Sequence, residues 1–92
     1  MKKEKKVFIT GATGFVGSHL SRRLVEQGYE VHVLIRKSSN VFRIKDIVAR
    51  LHIHYGDITE REKLMALIKK IRPRFIFHLA NIGIYGGVEG RK

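Results

Sequence analysis

The sequence predicts an α/β domain built on one parallel four-stranded sheet, with the element order βαβαβαβ. Three observations carry this reading. Hydrophobic spacing switches repeatedly between short continuous apolar runs and stretches of helical period. Glycine, a polar turn cluster or the single proline, Pro73, stands at most of the switches. The helical stretches, roughly 10 to 13 residues each, are the crossovers that parallel neighbours require, and such crossovers are right-handed almost without exception.

The elements follow in order. "VFIT", residues 7–10, is an apolar run ending at Gly11, as expected for a strand covered on both faces. From Phe15 to Gln27 the residues Phe15, Val16, Leu20, Leu24 and Val25 fall at helical intervals, with Gly28 as the stop. "YEVHVLIR", 29–36, is a second strand rich in β-branched residues, closed by the turn-forming "KSSN". Asn40 is expected to cap a helix with an inner face of Val41, Ile44, Ile47 and Val48. "LHIHY", 51–55, supplies strand three. Thr59 and Glu62 form a T-x-x-E capping box for a helix bearing Leu64, Leu67, Ile68 and Ile71, which Pro73 ends. "FIFHLA", 75–80, is strand four.

At 92 residues the chain is one small domain, with 43% apolar and 29% charged residues, an ordinary globular composition. It contains no cysteine, which excludes disulfides and thiolate metal sites. The basic start "MKKEKK" is followed only by a short apolar run, and no stretch approaches a membrane span. The chain reads as cytoplasmic, with no membrane partner. Nineteen Lys and Arg against eight Asp and Glu give +11, a field that favours anionic partners. The charges are scattered and no aromatic stacking platform interleaves them, so nucleic acid is not the expected partner.

The chemistry gathers at the first turn. "TGATGFVG", 10–17, spaces Gly11, Gly14 and Gly17 three apart between a strand and an amphipathic helix. A strand turning directly into a helix presents unpaired N–H groups and the positive end of the helix dipole, a setting for a pyrophosphate. Gly11 permits the sharp turn, Gly14 close approach of a ligand, and Gly17 tight packing of helix on sheet. In the dinucleotide-binding arrangement the strands lie in the order 3-2-1-4, with motif residues at their C-terminal ends: Thr10 to Gly17, Arg36, Asp57 and Ala80. His52 and His54, two apart on one strand face, raise a metal question, but no acidic or sulfur ligand is spaced in the sequence to complete a set; no metal is expected. His19 and His78 read as packing residues.

The glycine spacing, with Thr10 in front, resembles the extended short-chain dehydrogenase/reductase family, whose members bind NAD(H) or NADP(H) and mostly act on nucleotide sugars as epimerases, dehydratases or reductases. The similarity runs from about Lys6 to Ala80. It implies a partial Rossmann fold, residues 1–92 being its N-terminal, cofactor-binding portion without the catalytic and substrate-binding portion. By resemblance, Thr13, Phe15 and Val16 join the three glycines at the cofactor. "HYGDIT" looks like the adenine-side segment, with Asp57 bonding the base amino group and Ile58 beside it. "IFHLA" looks like the segment in which Leu79 and Ala80 line the ribose and nicotinamide side. At the end of strand two an acid would bond the 2′-hydroxyl of NAD, whereas an Arg accommodates the 2′-phosphate of NADP. Here stand Arg36, Lys37, Ser38 and Ser39, so Arg36 and Ser38 favour NADP. "LIRKSSNVFRI" resembles the GDP-mannose 4,6-dehydratase branch, which uses NADP.

Reduction in this family needs a Tyr with a Lys four residues on, yet Tyr29, Tyr55 and Tyr85 are followed at that distance by Val33, Thr59 and Glu89. No residue here is therefore assigned a catalytic role, and a nucleotide-sugar partner is expected only with the missing C-terminal part. Two alternatives stand beside the cofactor-binding fragment. One is a standalone nucleotide-binding module that forms a homodimer through the open sheet edge beside strand four. The other is a basic or vestigial protein without a ligand. Asn81, Ile82, Ile84 and Tyr85 follow strand four; Asn81 departs from the family's usual alanine.

Overall fold

The structure, a computed structural model, describes residues 5–80. The strands are β1 (Lys6–Thr10), β2 (Glu30–Ile35), β3 (His52–Tyr55) and β4 (Phe75–His78), and the helices α1 (Phe15–Glu26) and α2 (Arg61–Ile71). All four strands pair in parallel, in the order β3-β2-β1-β4. Phe8 lies level with His32 and Ile76, and His32 with His52, a register that fixes which side chains share a face.

The central strands β1 and β2 are buried on both faces, and alternation along them feeds two cores. Val7, Ile9, Val31, Val33 and Ile35 join Val25 of α1 and Ile44, Ile47 and Leu51 on one side. Phe8 and Leu34 meet Ile71 of α2 on the other, with Leu64, Leu67 and Ile68 packed around them. The outer strands are less covered; on β4, Phe75 and Ile76 remain about half exposed.

Helix α1 approaches the sheet through small residues. Its buried positions are Gly17, Ser18, Ser21 and Val25. Ser18 and Ser21 satisfy their hydroxyls within the helix, donating to the carbonyls of Phe15 (2.9 Å) and Gly17 (2.7 Å). Phe15 and Val16, expected on the apolar face, are instead 67% and 53% exposed. The inner face is set by how closely the backbones approach, and two large side chains in the first turn would hold the helix off the sheet. At its other end Gly28 adopts φ +90°, the Gly28 N–H reaches Val25 O, and the Tyr29 N–H reaches Leu24 O. That double closure is a Schellman stop, as the sequence predicted.

Between β2 and β3 the expected helix does not form. The segment makes two 3₁₀ turns, Phe42–Ile44 and Val48–Arg50, that still bury Ile44 and Ile47. The reason is a competitor for a backbone acceptor. Arg22 of α1 donates to the Arg43 carbonyl (2.7 Å), which an α-helix would offer to Ile47; the Ile47 N–H turns to Ile44 O instead, at 2.9 Å. Asn40 caps the first turn by accepting from the Phe42 N–H, and Asp46 holds Arg22 in place at 2.7 Å.

The capping box of α2 also differs. Thr59 and Glu62 do not pair. Asp57 Oδ1 accepts from both the N–H and the hydroxyl of Thr59, each at 2.9 Å, while Glu60 Oε1 accepts from the Asp57 N–H at 3.3 Å. Asp57 and Glu60 thus bond across the turn ahead of α2, but Asp57 Oδ1 takes the Thr59 N–H and not the Glu60 N–H, so no capping box forms and α2 starts at its N-cap Glu60 without a side-chain cap. Helix α2 ends where the residue before Pro73 is barred from right-handed helix: Arg72 takes φ 56° while its N–H still reaches Ile68 O at 2.8 Å.

Candidate functional site

The C-terminal ends of all four strands open into one cleft of about 330 Å³, whose walls are Gly11 and Thr13 after β1, Leu34 to Arg36 and Ser39 from β2, Gly56 to Thr59 after β3, and Ala80 after β4. Thr10 fixes the junction of β1 and β4. Its buried hydroxyl lies 2.8 Å from His78 Nδ1 and accepts from the Leu79 N–H at 3.1 Å.

The three glycines answer to different demands. Gly11 has φ +81°, and a Cβ there would come within 2.7 Å of the Leu79 carbonyl carbon. A Cβ on Gly17 would fall inside the Gly11 carbonyl. The fold itself therefore requires both. Gly14 is the N-cap of α1 with an ordinary φ of −78°, and a Cβ there would touch only Gly11 O, at 3.4 Å. Neither strain nor packing explains it.

Above Gly14 the helix begins uncapped. The Gly14 N–H is closed onto Gly11 O at 3.1 Å, and no side chain caps the helix. The amides of Phe15, Val16 and Gly17 have no acceptor among the described residues. Unpaired amides at a helix start form an anion-binding corner.

Charge surrounds the cleft unevenly. Arg36 is exposed at its rim, where its N–H donates to Ser39 Oγ (3.2 Å). Arg43, which the sequence reading passed over, brings Nη1 to 3.5 Å from the Thr13 carbonyl and its guanidinium over the Phe42 ring. The bonds from Thr59, aided by the charge of Arg36, hold the Asp57 carboxyl below the ordinary aspartate range, so it is ionised at neutral pH.

The family model for GDP-mannose 4,6 dehydratase matches residues 8–83. This chain belongs to that family. The GDP-mannose 4,6-dehydratase of Yersinia enterocolitica is 43% identical to it over 84 residues, covering 82% of this chain and 23% of that protein. Two solved structures align on the same region. UDP-glucose 4-epimerase of Thermotoga maritima, with UDP-glucose, is 31% identical (TM-score 0.69), covering 82% of this chain and 24% of that one. The Bordetella bronchiseptica enzyme WbmH, in complex with NAD+, is 28% identical (TM-score 0.70), covering 96% and 27%. The chain thus spans about a quarter of the length of the relatives it matches. It resembles the N-terminal NAD(P)-binding region of nucleotide-sugar dehydratases and epimerases.

Against this GDP-mannose dehydratase family frame, the residues singled out from sequence sort themselves. Gly11, Thr13, Arg36, Asp57, Ile58 and Ala80 share the cleft. Phe15 and Val16 are not among the residues that line it; the Phe15 ring packs edge-on against His19. Ser39, not Ser38, forms the wall beside Arg36. Leu79 packs on the α1-side core. The alternative reading of Asp57 as a turn cap is also realised, through Thr59. Asn81, Ile82, Ile84 and Tyr85 lie outside the described residues. No described helix is long and apolar enough to cross a membrane.

Proposed function

We propose that residues 1–92 are the dinucleotide-binding portion of a nucleotide-sugar dehydratase or epimerase and that the dinucleotide is NADP. The observation that carries this is the set of unpaired amides at Phe15, Val16 and Gly17, directly above a Gly14 that the fold does not need. These amides would hold the diphosphate, and the absent side chain at Gly14 would let it approach. Arg36, with Arg43 nearby, would hold the 2′-phosphate; "RKSS" after β2 offers no carboxylate for a free 2′-hydroxyl. Asp57 and Ile58 would take the adenine, the ionised Asp57 accepting from its amino group. Leu79 and Ala80 would flank the ribose and nicotinamide side, with Thr10 fixing their backbone.

When bound, the nicotinamide supplies hydride transfer at a sugar carbon. This chain's contribution is orientation and charge neutralisation; its sequence has no Tyr with a Lys four residues on to move the proton. Calorimetric titration with NADP, NAD and ADP tests the reading. The expected result is one site per chain, with NADP tightest. No heat with any of the three would overturn the proposal, and equal or tighter NAD binding would overturn the choice of NADP.

A second reading rests on the half-exposed Phe75 and Ile76, on a strand whose outer edge has no partner among the described residues. Under it the chain is a nucleotide-binding module that dimerises through β4. Sedimentation equilibrium decides, since a monomer at high concentration removes this reading and leaves the first untouched.

A further inference from the structure

On one face of β2 and β3, four ionisable side chains converge that sequence spacing does not bring together. Period-two alternation puts Glu30 and His32 on one face of β2, and His52 and His54 on one face of β3. The parallel register sets His32 level with His52 and Leu34 level with His54. The His32 ring stacks against both neighbours, with centroids 4.5 Å from His52 and 5.2 Å from His54. Its Nε2 lies 2.7 Å from Glu30 Oε2 and its Nδ1 lies 3.0 Å from His54 Nε2. One ligand atom from each of Glu30, His32 and His52 falls within 4.8 Å of the others. The acidic ligand missing from the spacing of His52 and His54 thus arrives from the neighbouring strand.

We propose that Glu30, His32 and His52 form a site for a borderline divalent transition ion such as Zn²⁺, with His54 as the outer partner that orients His32. Two imidazoles and a carboxylate are a nitrogen-rich set that suits Zn²⁺, Cu²⁺ or Ni²⁺ and not Mg²⁺ or Ca²⁺. A tetrahedral Zn²⁺ with bonds of about 2.0–2.1 Å places its ligand atoms roughly 3.3 Å apart. To reach that spacing the His32–Glu30 pair, now at 2.7 Å, opens while the set, now within 4.8 Å, draws in. His32 is buried and Glu30 part-buried, which restricts two of the three ligands, while exposed His52 leaves the fourth position open to water.

The proton count closes without any other reactant. In the metal-free arrangement His32 Nε2–H donates to the Glu30 carboxylate and Nδ1 accepts from His54 Nε2–H. An ion bound at Nε2 requires the other neutral tautomer, in which Nδ1–H donates to His54 Nε2. The His32–His54 bond reverses direction, His54 carries its proton on Nδ1, and both rings stay neutral with no net proton released. This outer hydrogen bond is the kind that fixes the tautomer of a metal-bound imidazole. Lys6, whose Nζ donates to the Ile71 carbonyl at 3.3 Å, and Lys70 of α2 are the cations that act on the cluster and oppose the ion. The effect of occupancy is to pin the edge strand β3 to β2.

The test is calorimetric titration of the untagged, metal-stripped 92-residue chain with ZnCl₂ and with MgCl₂, paired with thermal unfolding. One Zn²⁺ per chain, a raised Tm and no response to Mg²⁺ are expected. H52Q and E30Q should each weaken Zn²⁺ binding by about tenfold or more, and H54Q by about tenfold through lost orientation. H19Q, at an exposed position of α1, should leave it unchanged. Because His52 is exposed, H52Q keeps the test meaningful even if variants at His32 do not fold. No Zn²⁺ binding, affinity unchanged in H52Q and E30Q, or half an ion per chain with Zn²⁺-driven dimers would each overturn the proposal.

Discussion

Gly14→Ala separates a glycine kept for a ligand from glycines kept for the fold. At Gly14 the added methyl would meet only Gly11 O at 3.4 Å, and the φ of −78° suits any residue. The expected penalty is that of a poorer N-cap, up to about 1 kcal/mol. For a domain of this size that lowers Tm by at most about 4–8 °C. At Gly17 the same methyl would overlap the Gly11 carbonyl, a backbone group that cannot step aside. Overpacking of this kind costs roughly 1–3 kcal/mol or more, a large share of a stability of about 5–14 kcal/mol. Ligand binding should show the opposite order of interest. A methyl at position 14 stands where a diphosphate would approach the unpaired amides; weakening one charge-assisted hydrogen bond loses about 1.5–3 kcal/mol, or roughly 10- to 150-fold in Kd. Thermal unfolding and calorimetry with NADP, run on Gly14→Ala, Gly17→Ala and the parent chain, supply both readouts. Unchanged NADP affinity in Gly14→Ala, or a loss of stability there as large as in Gly17→Ala, would refute the reasoning.

Arg36→Ala should weaken NADP about 10- to 150-fold while leaving NAD nearly unaffected, because only the former has a 2′-phosphate to lose; parallel losses measured by calorimetry would remove Arg36 from cofactor choice. Thr10→Val keeps the shape but strands polar groups of His78 and Leu79 near the cleft floor, and should cost about 1–3 kcal/mol in urea unfolding. Asp57 has a folded pKa below its unfolded one, so its contribution is fully present above the unfolded carboxylate pKa and is lost as pH falls through the folded value. Asp57→Asn should therefore flatten the acid limb of a stability-versus-pH curve below about pH 4; an unchanged limb would show that the Thr59 bonds do not favour the ionised form.

The four strands, the spans of α1 and α2 and the stop at Gly28 were legible because each rests on local facts: the period of the apolar residues and a glycine where the helix must stop; the order 3-2-1-4 was legible only through the dinucleotide-binding arrangement that the first turn points to. The dinucleotide-like turn was itself legible from local facts, since its chemistry belongs to the backbone and is written in which residues are glycine. Other features depend on partners distant in the chain. Whether residues 41–50 coil as an α-helix or as 3₁₀ turns is decided by Arg22, which takes a carbonyl 21 positions away. That Ser18 and Ser21, not Phe15 and Val16, face the sheet follows from the distance between helix and sheet.

The sequence by itself determined the architecture and the position of the anion corner, because periodicity and backbone freedom are properties of neighbours along the chain. Tertiary structure alone decided that Arg43 reaches the Thr13 carbonyl and that Glu30 and His32 complete a set with His52 and His54. Those outcomes depend on strand register and on competition for single hydrogen-bond acceptors, and both exist only once distant segments are side by side.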